Sequence, residues 1–391
     1  MLLITEKKVR VKLKPEVAKS LRVRDRRTGK MWTFTPEVEQ LVPMSFAYQM
    51  LSGNWFTVDP DPLKDYSLVA KHTGTFGDTV CEAHCLQSYN YCHSEENIIH
   101  LISTTYSSLA SKIAPDIDIG CLVGTGKHFV DFFTEAICGK PSNNRNGFAW
   151  EREFAKAVGF EEYPQPTFPI TFTEKELMRP QQLIPRKRPK LVVLHLWSNH
   201  ARSKSIDPKR VSDLVEKIQK MNCDVTIIGG SSDPKFDVDR NITLMGKLSI
   251  VEAAATISLA DAVVSIDSWV WHMAKLLLKP QVVMFGSTKC AGEPKWWEMV
   301  RVLSGYLPPQ HEHPDAFQTS DCSIIDSIQF EEVQSALKDV MEEADERQRD
   351  IQEELFQNNH RELSFSSPSS AGRGDSSQVP PLVSSVEVFQ D

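Results

Sequence analysis

No Cys-x-x-Cys pair occurs among the eight cysteines of this 391-residue chain, which weakens any reading as a zinc ribbon or thiol-redox protein. Cys81 and Cys85 share a helical face with His84 between them, but a zinc site wants four ligands with loop-type spacing. The segment reads instead as a core face carrying small apolar thiols. No apolar run approaches membrane-spanning length, and Lys7 and Lys8 interrupt the apolar start before a secretory core could form. These absences lead us to expect a cytoplasmic protein with reduced thiols and no transmembrane segment. Basic charge is in deficit too: the net charge of -8 argues against wholesale nucleic-acid binding.

That average hides an asymmetry. Residues 1–30 carry eleven Lys and Arg against three Asp and Glu, a surplus of eight that would attract polyanions. Alternation at Val9, Val11 and Leu13 reads as a strand, with Trp32–Thr35 after Thr28-Gly29-Lys30 as its hairpin partner. With 41% apolar residues the chain can fill two cores. Residues 66–180 read as one Rossmann-like half, with strands at 66–71, 97–102 and 118–123 and a helix at 79–91. A proline-rich crossing, which also carries the basic cluster Arg186-Lys187-Arg188, leads to a second half at 190–320. A helix at 330–357 follows, packing by the stripe Val333, Leu337, Val340 and Met341. From Ser364 to Asp391 the Ser/Pro/Gly-rich sequence reads as a disordered tail.

The most informative stretch is 258–288. Ala262–Ile266 reads as a buried parallel strand, Trp269–Leu278 as a helix with Ser268 as its N-cap, and Gln281–Phe285 as the next strand, with Pro280 ending the helix. Such a helix presents unpaired N–H groups at the carboxyl edge of the sheet, a natural seat for a diphosphate. Upstream, Lys190–Trp197 reads as a strand leading into the polar, basic loop Ser198–Ser205, and Asp224–Ile228 as a strand ending in Gly229-Gly230-Ser231-Ser232-Asp233.

The run Asp267-Ser268, His272, Pro280, Phe285-Gly286 and Thr288 resembles the nucleotide-sugar half of glycosyltransferase family 9, the heptosyltransferases. The departure is Trp269, where that family usually has the glycine that lets a phosphate approach the backbone; Trp271 follows two positions later. The resemblance implies an α/β protein with two Rossmann-like domains of the GT-B type. Here that pair is preceded by an extra basic, β-rich prefix over residues 1–65 and followed by the tail.

It also implies a set of donor-binding residues: Ser198, Arg202, Lys204, Gly230, Asp233, Asp267, Ser268, His272 and Thr288. Lys204 and Arg202 would face the leaving pyrophosphate and Asp233 the ribose hydroxyls. In the first half, the Gly-Asp pair of the family's first loop falls at Gly77-Asp78, which makes Asp78 the catalytic base, with Gly77 and Thr75 on the acceptor side. The bland alternative has Asp78 merely capping its helix. Asp116-Ile-Asp118 and Asp237-Val-Asp239 have the Asp-x-Asp form that metal-dependent transferases use. A lysine and a helix terminus can replace the metal, so no metal and no other cofactor is expected. The resulting expectation is an inverting transferase with a nucleotide-diphosphate sugar donor and a saccharide or glycolipid acceptor. Two alternatives stay open. One is transfer to hydroxymethylated DNA bases, motivated by the basic residues 7–30; the other is a non-catalytic sugar or nucleotide binder, motivated by Trp269.

Overall fold

The computed structural model describes residues 8–14, 17, 19–24, 29–36, 38–43, 46, 56–59, 65–72, 74–93, 97–102, 104–120, 128–132, 150–166, 169–199, 202–286, 299–305 and 323–365. Contacts divide the chain into a unit of residues 1–344 and a second of 345–391. Thr288, most of the Ser/Pro/Gly-rich tail and part of the basic prefix lie outside the described residues.

Two parallel sheets carry the larger unit. The first comprises β6 (Leu68–Lys71), β7 (Ile98–Leu101), β8 (Asp118–Gly120) and β9 (His128–Asp131), in the order β8-β7-β6-β9. The second comprises β10 (Lys190–His195), β11 (Cys223–Ile227), β12 (Ala262–Ile266), β13 (Gln281–Phe285) and β14 (Val300–Ser304), in the order β11-β10-β12-β13-β14. All pairings within both are parallel. Near-continuous apolar strands such as Leu191–Leu194 and Ala262–Val264 are fully buried, as expected for parallel strands covered on both faces. In each sheet the strand order reverses next to the first strand. β6 lies between β7 and β9, and β10 between β11 and β12, so each half opens a crevice at the carboxyl ends of those strands.

The helices follow the alternation. α1 (Phe76–Cys92) and α2 (Thr104–Ile113) belong to the first half; α3 (Trp150–Ala157) and α4 (Glu174–Leu183) cross to the second. There α5 (Val211–Lys220), α6 (Ile250–Ser258) and α7 (Trp269–Leu276) connect the strands. α8 (Ser323–Asp326) precedes α9 (Phe330–Phe365), which runs eight residues farther than its apolar stripe predicts. Phe330, Val333, Leu337 and Val340 seat its first turns on the core beneath β10, β12 and β13. Among the described residues no helix is long and apolar enough to cross a membrane.

The prefix departs from its predicted hairpin. β1 (Lys8–Leu13) pairs antiparallel with both β4 (Gln40–Pro43) and β5 (Phe56–Asp59), while β3 (Met31–Phe34) pairs with β2 (Leu21–Arg24) instead. The alternation of β1 is the reason its inward residues matter more than its turn. Val11 and Leu13 join Phe34, Val42, Phe46 and Phe56 in one core that also takes in Val69 of β6 and Ile99 of β7. The prefix therefore covers the face of the first parallel sheet that Val69 and Ile99 present, and its charges, such as exposed Arg22 and Arg24, lie outside.

Candidate active site between the two parallel sheets

The carboxyl end of β6 leads into the loop that carries the predicted base. Sequence reading starts the helix at Thr79, with capping as the alternative role for Asp78; the structure starts it at Phe76 with Thr75 as N-cap and Asp78 three residues in. The two form a reciprocal capping box. Thr75 donates to Asp78 Oδ2 from its backbone N (2.9 Å) and from Oγ1 (2.7 Å), while Asp78 N donates to Thr75 Oγ1 (3.5 Å). Asp78 is half-buried, and burial, followed by the negative charge of Glu82, raises its carboxyl above the ordinary aspartate range. A carboxylate made more basic by its surroundings suits proton abstraction.

The carboxyl ends of β10 and β12 supply the facing wall. Lys204, in a 3-10 turn after β10, donates from Nζ to Asp267 Oδ2 at 2.6 Å. A side chain on Gly286, at the end of β13, would collide with the carbonyl of Ser203, so glycine there lets the lysine turn press against the sheet. Arg202 begins that same turn. Ser198 N donates to Ser205 Oγ (2.9 Å), which closes the loop behind it. Ser268 is the N-cap of α7 as its position predicts, accepting from Val270 N (3.4 Å), and its Oγ also bonds His195 Nδ1 at 3.0 Å. Burial lowers His195 to about 4, so this imidazole is neutral near pH 7.

A second polar station follows β11. Asp233 Oδ2 accepts from Gly230 N (2.7 Å) and Oδ1 from Asn199 Nδ2 (2.6 Å), while Asn199 Oδ1 accepts from Trp197 Nε1 (3.1 Å). Any side chain on Gly229 would strike the Asp233 carboxylate. The loops after β10 and β11 are thus tied together at the residue singled out for ribose hydroxyls.

The halves meet at His272. A methyl group built on Gly77 would sit 3.5 Å from His272 Cδ2 and 3.7 Å from Nε2, so α1 and α7 approach closely where the family resemblance places a base and a donor site. Trp269 lies in the same crevice, its ring centroid 6.4 Å from that of Phe76 and 6.3 Å from that of His195. Trp271 plays a different part: it is buried against Phe285 and Val283, with Lys275 Nζ 3.6 Å from its ring centroid.

Residues 145–318 match the family model for glycosyltransferase family 9 (heptosyltransferase). Those residues form a glycosyltransferase family 9 domain. Its fold is similar to that of ADP-heptose lps heptosyltransferase II of E. coli, with a TM-score of 0.55 at 12% identity over 71% of this chain and 99% of that one. The glycosyltransferase family 9 protein of Veillonella parvula DSM 2008 gives a TM-score of 0.52 at 12% identity over 72% and 99%. TibC from enterotoxigenic E. coli H10407, described as an iron-containing dodecameric glycosyltransferase, gives 0.51 at 14% over 88% and 93%. No curated protein matches the chain by sequence. Two Rossmann-like halves of the GT-B type are therefore the architecture, and glycosyl transfer is the enzyme class.

Within this glycosyltransferase the structure brings in residues that sequence reasoning passes over. Glu151, on α3, accepts at Oε1 from His272 Nδ1 (2.6 Å) and from the fully buried Lys275 Nζ (2.5 Å). Burial pushes the Glu151 carboxyl up, but the Lys275 charge and the His272 bond outweigh it and hold it at about 2. His272 is oriented by this pair, since its Nδ1–H is committed to Glu151. No spacing rule links residue 151 to residue 272; only the packing of α3 against α1 and α7 does.

Among the described residues two clusters bring together three metal-capable side chains each: His72, Glu82 and His100, and Cys81, Glu151 and His272. In the first, Gly74 N donates to His72 Nε2 (3.1 Å), which places the ring proton on Nδ1, the atom that would have to face a metal. The remote nitrogen of His100, Nδ1, is buried without a hydrogen-bond partner, whereas ligating histidines donate from that position. In the second, the Lys275 ammonium occupies the carboxylate oxygen. Both donor sets are already engaged in hydrogen bonds within the protein. Cys81, His84 and Cys85 do not come together as a donor set among the described residues, and His84 Nε2 bonds the Pro164 carbonyl at 2.9 Å. Of the Asp-x-Asp carboxylates, Asp116 and Asp118 bond Gln87 and Tyr66, and Asp239 caps the turn at Asn241.

Proposed function

We propose that the crevice transfers a sugar from a nucleotide-diphosphate sugar to an acceptor hydroxyl with inversion at the anomeric carbon. The observation that carries this reading is the approach of Gly77, beside Asp78, to His272, five residues beyond Asp267. It sets a raised-pKa carboxylate on one wall against a lysine and a helix N-terminus on the other.

In the reaction, Asp78 takes the proton of the acceptor hydroxyl as its oxygen attacks the anomeric carbon. The bond from that carbon to the diphosphate oxygen breaks, and its electron pair leaves with the diphosphate. Lys204 and the N-terminus of α7 stabilise the departing charge, and Asp267 holds Lys204 in place beforehand. Asp233 and Asn199 bind the ribose end. These groups supply the stabilisation that a metal would otherwise provide, so transfer proceeds without one. Chelator added to a working assay leaves the rate unchanged on this account; a complete loss restored by Mg²⁺ or Mn²⁺ would overturn it.

Fold-level likeness to an ADP-heptose-dependent enzyme puts ADP-heptose first in a donor panel, and a saccharide or glycolipid first among acceptors. The deciding experiment is mass spectrometry of products formed from a nucleotide-sugar panel with oligosaccharide, glycolipid and hydroxymethylated DNA. NMR of the anomeric proton then reads the stereochemistry. Transfer to a saccharide or glycolipid with inversion supports the proposal. Transfer to DNA alone replaces the acceptor, and nucleotide binding without turnover on any pair would end the catalytic reading.

A further inference from the structure

One carboxylate lies fully buried a single helical turn beyond Asp78 and has no place in the reaction as drawn. Glu82 Oε2 accepts from His72 Nδ1 at 2.6 Å and from His100 Nε2 at 3.2 Å, and both the Glu82 and the His100 side chains are completely shielded from solvent. These three residues come from three elements: His72 follows β6, Glu82 is on α1 and His100 is on β7. His72 reaches forward as well, taking the Gly74 N–H at its other nitrogen, Nε2. The chain of bonds runs from the core of the sheet, through Glu82 and His72, into the loop whose next residue, Thr75, holds the Asp78 carboxylate. Tyr106 closes the arrangement, its ring centroid 4.9 Å from that of His72 and 4.8 Å from that of Phe76.

We propose that Glu82, gripped by His72 and His100, is a positioning residue for the base: it fixes the His72 ring that holds Gly74, next to Thr75, and so fixes where the Asp78 carboxylate points. The inference rests on the reading of Asp78 as the base. An ionised carboxylate without solvent contact costs several kcal/mol to desolvate, and apolar packing would hold a helix to a sheet at no such cost. What an apolar cluster cannot do is fix a glycine-bearing loop by directional hydrogen bonds, or place a negative charge next to the base. General-base catalysis responds to both, because a misplacement of about 1 Å can cost two orders of magnitude and basicity sets the driving force for proton transfer.

The charge acts in the same direction as the geometry. Burial pushes the Glu82 carboxyl up, but the two imidazoles more than offset it and hold it ionised. His100 is itself held neutral, chiefly by burial. The charged and titratable groups facing Asp78 are Glu82 and Cys81 on its own helix, His72 from the β6 loop, and His272 beside Gly77 from α7. Of these, Glu82 is the one that makes Asp78 more basic.

The test uses the full chain and needs no substrate. Long-range proton–nitrogen correlation of the histidine rings should find His72 protonated at Nδ1 only and His100 at Nε2 only; His72 protonated at Nε2 would break the chain of bonds. In Glu82→Gln, carbon-detected titration of the Asp78 carboxyl, assigned by its loss in Asp78→Asn, should show its midpoint moving to lower pH. The Thr75 amide should exchange about tenfold faster, the scale of one lost network bond. If Glu82→Gln does not fold, His72→Phe keeps the ring packing against Tyr106 and removes the bonds, and the same acceleration at Thr75 is expected. An unchanged Thr75 exchange in a folded variant overturns the proposal. That failure would leave Asp78 free to be the base, whereas full turnover in Asp78→Asn would remove the base and leave the tautomers and exchange rates as stated.

Discussion

Gly77 faces the His272 ring across the crevice, 195 positions apart in the chain, close enough that a methyl group on the glycine would reach the imidazole. A Cβ at residue 77 would already be in van der Waals contact with the imidazole, and Glu151 holds that imidazole in place from behind. The two halves of this glycosyltransferase therefore register on each other through the start of α1 and helix α7.

Replacing Asp78 by Asn should lower turnover by about 100-fold or more, the usual scale for a general base, while leaving nucleotide binding nearly intact. A general base works deprotonated, and the pKa of Asp78 is raised. The acid limb of the kcat–pH profile in the wild type should accordingly fall at higher pH than for an ordinary aspartate. Near-wild-type turnover in the variant would make Asp78 a partner in the capping box and nothing more.

Lys204→Ala should weaken binding of a nucleoside diphosphate roughly 10- to 100-fold, the scale of one lost charge-assisted hydrogen bond. Asp267→Ala frees the lysine from its 2.6 Å partner, so we expect a smaller loss of affinity together with slower turnover. Isothermal titration checks both. Identical affinities in both variants and the wild type would place the diphosphate elsewhere.

The Glu151–Lys275 pair bears on stability more than on chemistry. Glu151→Gln leaves the Lys275 charge buried and unpaired and should cost about 3–5 kcal/mol in denaturant unfolding. The double variant Glu151→Leu with Lys275→Met should recover much of that. The carboxyl of Glu151 is held at about 2 in the folded state, below its ordinary 4.5. Its contribution is thus complete above pH 4.5 and is lost as the pH falls toward 2. His195 adds a separate window. Its folded value near 4 lies below the ordinary 6.5, so protons favour the unfolded chain and stability declines from about pH 6.5 down to 4. Melting temperature against pH should show that second decline in the wild type and lose much of it in His195→Asn.

Phe34→Ala should destabilise the protein by about 3–5 kcal/mol, because this ring is fully buried in the core shared by the prefix and the first parallel sheet. Charge reversal at the exposed Arg22 and Arg24 should leave the melting temperature unmoved. If DNA is the acceptor, reversal also flattens the salt dependence of duplex binding, each lost phosphate contact reducing the log-log slope by about 0.9. With a saccharide or glycolipid acceptor, transfer is unaffected by the reversal.

What the sequence determined by itself was local. The buried strands Ala262–Ile266 and Gln281–Phe285, the Ser268 cap and the apolar stripe of α9 follow from runs, periodicity and capping chemistry within a few residues. The family resemblance was legible for a related reason, since the loops that carry it follow directly on those strands. Tertiary structure alone decided the rest. It paired β1 with β4 and β5 instead of β3, because burial of Val11 and Leu13 against Val69 and Ile99 outweighs a short turn signal. It moved the start of α1 to Phe76, where Thr75 and Asp78 can satisfy each other's backbone. It also separated Trp269, in the crevice, from Trp271, in the core, by turning them onto different faces of one short helix. Glu151 behind His272, and Glu82 between His72 and His100, were beyond reach for the same reason. Hydrogen bonds between residues 10 to 121 positions apart leave no spacing in a single chain, and only the packing of helices on the sheets brings their atoms together.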